Sequence, residues 1–369
     1  MKVLLFLLIS AVGTFAGDQS SDPVAVVAYL PEWRYEGANW ETISEHTTHL
    51  LLFSLEMTSK GKIVAMDRFP RKELYKEARE ATRKHGTALM ICFGGNGRSQ
   101  GFSGMARKSK NRKHFMKELV ELIEKYDLDG VDYNWEYPGY RFGQGYLSDS
   151  EVQADYEGLS KLLFATREIF TQRGWTNKVI TLAYYPDGRQ EQLLRDHGIA
   201  EQADLLHMMS YDQGGTHHSS LQYGKRSADQ GKHILSARQL TMGVPFYGRH
   251  SQSGEWTTYE DLVQKHWPLD FKQDAVDAPQ GATIGFNGVQ TMSLKTNYSL
   301  EQGLAGVMIW EVGQDCRLKP VVHGPTTHVR TCPQDDASLL LAISKTLERA
   351  KRPRMRMVGW LDEVKRMEL

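Results

Sequence analysis

Three polar side chains alternate with two aromatic ones in a short segment near the middle of the chain. In an extended strand Asp132, Asn134 and Glu136 share one face, about 7 Å apart at successive positions, and Tyr133 and Trp135 occupy the other face. Burying such polar groups costs free energy unless they are hydrogen-bonded. A polar column inside a protein therefore indicates catalysis or ligand binding.

The elements that must position this column are indicated by eight short apolar runs separated by segments of helical periodicity. The runs begin 24 to 65 residues apart, which leaves room for crossover helices. Their apolar residues are consecutive, as in parallel strands that are covered on both faces. Eight such units predict an α/β fold, a closed (β/α)8 TIM barrel, rather than an open doubly wound sheet. The runs begin at Val24, Thr48, Thr87, Leu128, Lys178, Ala203, Gln239 and Leu304.

The segment from Asp129 to Pro138 resembles the DGxDxDxE signature of glycoside hydrolase family 18, which contains chitinases and chitinase-like lectins. Five further segments resemble that family's motifs in the same order along the predicted strands, so the resemblance covers roughly residues 24–345. It implies a barrel that acts on chitin or N-acetylglucosamine oligosaccharides. The five segments are AYLPEW (28–33), CFGGNGRSQGFS (92–103), MMSYD (208–212), GVPFYGR (243–249) and GVMIWEVGQD (306–315).

The resemblance also implies a mechanism in which the substrate's own 2-acetamido oxygen attacks the anomeric carbon. Glu136 is then the acid that protonates the glycosidic oxygen and later activates water. Tyr211 and Asn134 position the acetamido group, and Asp212 lies near the same sugar. Asp132, behind Asn134, holds a proton or a negative charge.

Substrate binding is implied by the same motifs. The family places an indole beneath the sugar at subsite −1, and Trp310 occupies that position here. Trp33 and Arg249 are expected to contact further sugars. Other members of the matching motifs complete the predicted binding set: Met209, Tyr137 and Asp129.

Asn134 departs from the family pattern, because the signature has an aspartate at this position. The amide can accept a hydrogen bond but carries no charge, and the loss of that charge predicts a rate about 10²- to 10³-fold lower. Three functions stay open. They are a chitinase-like hydrolase, a chitin-oligosaccharide-binding lectin, and an endo-β-N-acetylglucosaminidase that acts on the chitobiose core of N-glycans. Another group of glycosidases also pairs an asparagine with a glutamate two residues later.

A second departure concerns the 56 residues between Arg249 and Gly306. Many chitinases insert a small α/β domain there. This span is short for one, so we predict a barrel without the insertion domain. The expected cleft is open and suits internal cleavage of a polymer.

Charge and the chain's first residues bear on partners and location. The 45 basic residues balance the 45 acidic ones, which disfavours binding to a phosphate backbone. Residues 1–16 read as a secretory signal peptide, followed by a catalytic domain over 17–350 and a tail of unknown role over 351–369. No later run is long enough to span a membrane. We expect a secreted, extracellular monomer.

Cysteines and histidines give no metal site. Three cysteines without CxxC spacing argue against zinc, and no cofactor is predicted. Cys92 lies in an apolar run and is expected to be a buried thiol, whereas Cys316 and Cys332 are either bridged or free. The pair His217 and His218 lies in a polar loop and is predicted to be solvated.

Overall fold

The computed structural model describes residues 23–320, 328–333 and 335–350. The predicted signal peptide (1–16) and C-terminal tail (351–369) lie outside the described residues.

Eight parallel strands close into a barrel within the described part of the chain. The order around the ring is β1-β8-β7-β6-β5-β4-β3-β2, and pairing of the first strand with the second closes it. The predicted (β/α)8 barrel is confirmed. The strands are β1 Ala25–Pro31, β2 His49–Met57, β3 Ala88–Gly94, β4 Gly130–Asn134, β5 Val179–Tyr184, β6 Leu205–Met208, β7 Leu240–Pro245 and β8 Gly306–Trp310.

A helix follows each strand and covers the outside of the barrel. The ends of several helices are fixed by local hydrogen bonds: the Ser338 hydroxyl, for example, accepts from the backbone N–H of Leu341 at 3.1 Å and caps the last helix. The helices are α1 Trp40–His46, α2 Lys72–His85, α3 Ser109–Tyr126, α4 Asp149–Gln172, α5 Arg189–Asp196, α6 Leu221–Ile234, α7 Val289–Glu301 and α8 Leu339–Arg349.

Short elements lie in the loops between these units. A helix at Phe102–Arg107 precedes α3, and Ile63–Val64 pairs with the end of β2. Two hairpins are formed by Tyr140–Arg141 with Gly145–Tyr146 and by Leu318–Pro320 with His328–Arg330. Single 3-10 turns occur at Glu32–Arg34, Met66–Arg68, Ala237–Gln239, Pro279–Gly281, Val312–Gln314 and Asp335–Ala337.

The segment between β7 and α7 corrects one expectation. It folds into a four-stranded antiparallel sheet with one helix, so the barrel does carry a small inserted unit. The span suffices because each strand has only three or four residues. Its strands are Tyr247–His250, Trp256–Thr258, Ala275–Ala278 and Ala282–Gly285, and its helix is Tyr259–Lys265.

The strands bury both of their faces, as their consecutive apolar residues predict. One apolar cluster fills the layer between the strands and the helices, and includes Leu50, Ile91 and Val131. A second cluster lies inside the barrel and includes Val27, Met90 and its neighbours on adjacent strands. The barrel interior is therefore a packed core beneath the site.

The structure shows whether Cys316 and Cys332 are bridged or free, which the sequence left open. Cys316 and Cys332 form a disulfide with a Cα–Cα distance of 5.3 Å. Cys92 is a free, buried thiol, as predicted. Among the described helices, none combines the length and the apolar character needed to cross a membrane.

Candidate active site

A cavity of about 380 Å³ opens at the C-terminal ends of the barrel strands. This is the end at which barrel enzymes carry their functional loops. The structure brings most of the predicted site residues to its walls, and two of them lie elsewhere. Those that line the cavity are Trp33, Asn134, Glu136, Tyr137, Met209, Tyr211, Asp212, Arg249 and Trp310.

Asp129 lies at the opposite end of the barrel, which corrects its assignment as a binding residue. Arg79 donates to both of its carboxylate oxygens, at 2.5 and 3.1 Å. The backbone N–H of Leu89 donates to the same carboxylate at 2.8 Å. The physical reason is the direction of β4, which starts beside Asp129 at the base and ends at the mouth. Asp129 therefore joins α2 to the base of the barrel.

Asp132 lies beneath the cavity and is fully buried. Its carboxylate accepts from the Tyr29 hydroxyl at 2.9 Å and from the Thr181 hydroxyl at 2.6 Å. Burial raises its pKa, although these hydrogen bonds act in the opposite direction. The Nε2 atom of buried His207 is 3.9 Å from the carboxylate. Asp132 thus anchors the polar column inside the barrel.

Glu136 lies at the mouth and is partly exposed to the cavity. Burial within the cavity walls raises its pKa to about 7, and the nearby charge of Asp212 adds to this shift. A hydrogen bond from the Asn134 amide acts in the opposite direction. Within residues 23–320 no cation lies at ion-pair distance from this carboxyl. Glu136 can therefore hold or release a proton near neutral pH, as a general acid requires.

Asn134 is buried between Asp132 and Glu136. Its backbone carbonyl accepts from the N–H of Gly95 at 2.7 Å. In the described structure its side-chain oxygen has no hydrogen-bond partner. A buried acceptor without a partner costs about 1–3 kcal/mol, and a ligand N–H can offset that cost.

Tyr211 and Asp212 follow the end of β6. Tyr211 is buried, and burial raises the pKa of its hydroxyl, which stays a hydrogen-bond donor. Asp212 adopts a left-handed backbone, with φ of 60°. Its carboxylate accepts from the Tyr247 hydroxyl at 2.7 Å and from Arg249 at 3.0 Å. Burial raises the pKa of Asp212, but hydrogen bonds with His218 and Tyr247 and the positive charge of Arg249 outweigh burial and lower it.

Of the histidine pair beside Asp212, His218 is buried and His217 is half-buried, so the prediction of a solvated pair is wrong. His218 is buried and its ring packs against Tyr247, with centroids 4.8 Å apart. Its Nδ1 atom lies 3.4 Å from the Asp212 carboxylate. His217 binds the backbone carbonyl of Phe286 through Nε2 at 2.8 Å. Both rings therefore hold the loop that carries Asp212.

Aromatic rings form a continuous wall on one side of the cavity. The Trp310 ring contacts Phe53 and Tyr29, with centroids 4.7 and 5.6 Å apart. Trp33 extends this wall, 6.3 Å from Phe53, and is 48% exposed. Arg98 lies over the rings of Trp33 and Phe53 and binds Glu32. Such a wall suits the apolar face of a pyranose ring.

Several cavity residues were missed by the sequence prediction. Trp256 is 56% exposed and projects from the inserted sheet, which the sequence did not predict. Tyr185 follows β5 directly, and its place after a barrel strand is a signal that could have identified it. Asn96 and Arg98 lie in the matching segment CFGGNGRSQGFS (92–103) but were not singled out. The described residues contain no cluster of three or more His, Cys, Asp or Glu side chains able to hold a metal ion.

Comparison with known proteins places the cavity in a family context. A family model described as Glycosyl hydrolases family 18 matches residues 25–315, which contain every residue that lines the cavity. The endochitinase of Manduca sexta is 24% identical, over 62% of this chain and 50% of the relative. Chitinase A1 of Niallia circulans is 25% identical, over 61% of this chain and 40% of the relative. The chain thus spans about half the length of the curated relatives it matches.

Solved structures share the fold. The group IV chitinase of Ostrinia furnacalis in complex with allosamidin aligns with a TM-score of 0.70 and 19% identity, over 89% of this chain and 100% of that one. A chitinase from Rhizomucor miehei aligns with a TM-score of 0.66 and 23% identity, over 87% of this chain and 99% of that one. Since the family model spans most of a chain with this barrel, the protein belongs to glycosyl hydrolases family 18.

Proposed function

We propose that the protein is a secreted chitinase-like hydrolase that cleaves β-1,4 bonds between N-acetylglucosamine residues with retention of configuration. The observation that carries the proposal is Glu136, a carboxyl with a pKa of about 7 at the mouth of an aromatic-walled cavity. The relatives named above are chitinases, which supports the same substrate class.

The first chemical step is assigned to Glu136. With a sugar stacked on Trp310, the carboxyl donates its proton to the glycosidic oxygen, and the bond between that oxygen and the anomeric carbon breaks. The substrate's acetamido oxygen attacks the same carbon and forms a cyclic oxazolinium. The leaving sugar departs with the proton.

The second step restores the acid. Glu136, now a carboxylate, accepts a proton from water, and the water oxygen attacks the anomeric carbon and opens the oxazolinium ring. Two displacements on opposite faces give a product of the same anomeric configuration as the substrate. One enzyme carboxyl therefore serves both steps.

Asn134 and Tyr211 are proposed to hold the acetamido group. The unpartnered amide oxygen of Asn134 accepts the acetamido N–H, and the Tyr211 hydroxyl donates to the acetamido carbonyl. Asn134 brings no charge, so the negative charge among the cavity residues comes from Asp212, whose pKa is lowered, and from Glu136 once it has donated its proton. Stabilisation of the oxazolinium is then weaker than an aspartate at position 134 provides.

One specific observation favours a second candidate, the endo-β-N-acetylglucosaminidase. The Asn134 and Glu136 pair matches the asparagine and glutamate of another group of glycosidases that act on N-acetylglucosamine. The lectin alternative is less well supported, because the candidate acid is present and its pKa lies near neutral pH.

The experiment is incubation of the full chain, expressed through a secretory pathway, with chitotetraose, chitohexaose and an N-glycosylated peptide. Chromatography follows the products, and proton NMR reads their initial anomeric form. We expect β-anomers from the chitooligosaccharides and no cleavage of the glycopeptide. Cleavage of the glycopeptide alone supports the second candidate. Oligosaccharide binding without cleavage at any pH supports the lectin.

Affinity for a mimic of the cyclic intermediate gives an independent test. A site built for the oxazolinium binds a thiazoline analogue, or allosamidin, far more tightly than N-acetylglucosamine. Equal affinities in calorimetry contradict a catalytic site. This measurement does not depend on the turnover rate.

A further inference from the structure

A small hairpin follows the proposed acid within a few residues. Its strands, Tyr140–Arg141 and Gly145–Tyr146, pair in antiparallel fashion immediately after the end of β4. The hairpin stands beside the cavity, because Glu136 and Tyr137 at its base both line the cavity. The mechanism proposed above makes no use of it.

The hairpin is anchored at Gly139, the residue that precedes its first strand. The N–H of Gly139 donates to the buried carboxylate of Asp155 at 2.9 Å, and Arg107 binds that carboxylate at 2.7 Å. Gly139 has a φ of 65°, and a Cβ at this position lies 2.5 Å from the Cα of Val152. Only glycine fits there without displacing α4.

The other end of the hairpin is fixed as well. The Tyr146 hydroxyl donates to Asp187 at 2.6 Å, and the Arg189 guanidinium lies 4.3 Å from the Tyr146 ring centroid. Both partners belong to the loop and helix that follow β5. Both ends of the hairpin are thus tied to neighbouring parts of the barrel, which restricts its motion and lowers the entropy lost when a ligand binds it.

An aromatic surface runs from the cavity onto this hairpin. Tyr137 lines the cavity, and its ring centroid is 6.2 Å from Tyr185 and 5.9 Å from Phe142. Phe142 also contacts Tyr140, at 5.6 Å, and is 53% exposed at the hairpin tip. A large exposed ring that continues a binding cavity indicates a ligand that extends out of the cavity.

The position of the hairpin identifies which part of the ligand it meets. Trp33 and Trp310 are linked through Phe53, on the side of β8 and β1. The hairpin follows β4, which lies across the ring from β8. If the sugar that is attacked stacks on Trp310, sugars that continue past Glu136 toward the hairpin belong to the leaving group.

We propose that Phe142 and the hairpin bind a sugar of the leaving-group portion of an N-acetylglucosamine oligosaccharide, beyond the sugar next to the bond that is cut. This proposal rests on the function proposed above and specifies its substrate as an oligosaccharide longer than the cavity. The Phe142 ring offers its apolar face to a pyranose ring, and the anchored hairpin holds it in place.

The test measures binding in a Glu136→Gln background, so that the oligosaccharide is not consumed. Chitobiose and chitohexaose are titrated into that variant and into versions that also carry Phe142→Ala or Phe142→Trp. Phe164→Ala is the matched control, because Phe164 is 58% exposed on α4 and does not line the cavity. Thermal melting checks that each variant is folded.

Phe142→Ala is expected to weaken chitohexaose binding by about fivefold to tenfold and to leave chitobiose binding unchanged. Phe142→Trp and Phe164→Ala should retain the parent affinity for both ligands. An unchanged chitohexaose affinity, or an equal loss for both ligands, overturns the hairpin proposal and leaves the proposed function intact. If the parent binds neither sugar, the proposed function and the hairpin proposal both fail.

Discussion

The two ends of strand β4 carry carboxylates in opposite situations. At the base Asp129 accepts two hydrogen bonds from Arg79 and one from the Leu89 backbone. At the mouth Glu136 has no ion-pair partner among the described residues, and burial raises its pKa to about 7. The same strand therefore ends in a paired acid on one side and an unpaired acid on the other.

The difference shows how one strand separates stability from chemistry. A carboxylate paired with an arginine holds its charge and joins two elements, but it cannot deliver a proton near neutral pH. An unpaired carboxyl in a desolvated cavity is held less favourably in its charged form. That disadvantage to the fold suits Glu136 to the proton transfer that we propose for it.

The largest effect is expected from removing Glu136, the proposed proton donor at the mouth. Glu136→Gln keeps the shape of the side chain and loses the transferable proton, so kcat should fall by about 10²- to 10⁴-fold. Chitohexaose affinity should persist in calorimetry. Asp129→Asn is the control at the other end of the strand and should retain kcat. If Glu136→Gln turns over substrate as fast as wild type, Glu136 is not the acid.

Asn134→Asp probes the residue between the two carboxylates of the column. A carboxylate there adds charge beside the oxazolinium, so hydrolysis of chitotetraose should rise by about tenfold. It also replaces a hydrogen-bond donor to Glu136, which should raise the pKa of Glu136 further and move the alkaline limb of the pH–rate profile upward. If Asn134→Asp is slower than wild type and the alkaline limb of its pH–rate profile does not move, the site is adapted to asparagine.

Breaking the pair at the base should act on the fold alone. Asp129→Asn leaves the largely buried Arg79 without its full partner and should lower the free energy of unfolding by about 2–3 kcal/mol. Denaturant unfolding measures the loss, and kcat/KM of the folded variant should match wild type. Lys117→Ala, on an exposed helix face, is the control. If Asp129→Asn loses activity but not stability, the contrast between the two ends of β4 is wrong.

The sequence predicted the barrel because its strands carry consecutive apolar residues at wide intervals. It also selected side chains such as Trp310 and Tyr211 that the structure brings to one cavity, although their chemical roles stay predictions. Strand-end motifs are local in sequence, so each delivers its residues to the mouth. The prediction for Asp129 was wrong because it rested on the motif alone, although the fourth apolar run begins at Leu128 and so puts Asp129 at the base of the strand.

Tertiary features escaped sequence reasoning. The inserted sheet has strands of three or four residues, such as Trp256–Thr258, which are too short to show periodicity. Trp256 was missed with it. The burial of His218 depends on contacts with Tyr247 from the first strand of the inserted sheet, and a run of polar neighbours gives no sign of them. The pairing of Cys316 with Cys332 likewise depends on the path of the chain between them.

The pH dependence of hydrolysis tests whether the pKa of Glu136 at the mouth is raised. The proposed mechanism needs Glu136 in its protonated form, so kcat/KM should fall about tenfold per pH unit above the pKa of about 7. Initial rates with chitotetraose between pH 4 and 9 measure this limb. Asp129→Asn should leave its midpoint unchanged. A limb that begins near pH 4.5 shows that the cavity does not shift this carboxyl.

The smallest expected effect is on stability at alkaline pH, where neutralising the carboxylate should stabilise the protein at the mouth of β4 and destabilise it at the base. The folded state holds a proton on Glu136 up to about pH 7, whereas the unfolded chain releases it near 4.5. Between these values the folded state binds more protons, so the contribution of Glu136 to stability falls as pH rises. Below pH 4.5 Glu136 is protonated in both states, so its ionisation does not affect stability, and above about pH 7 its destabilising effect is complete.

Glu136→Gln removes this ionisation and should therefore be more stable than wild type at pH 8, by about 1–2 kcal/mol, because water in the open cavity weakens the full effect. The advantage should shrink toward zero at pH 4. Asp129→Asn should be less stable than wild type at pH 8. Urea unfolding at both pH values measures the two differences. If Glu136→Gln proves less stable at pH 8, Glu136 has a stabilising partner and the contrast between the two ends fails.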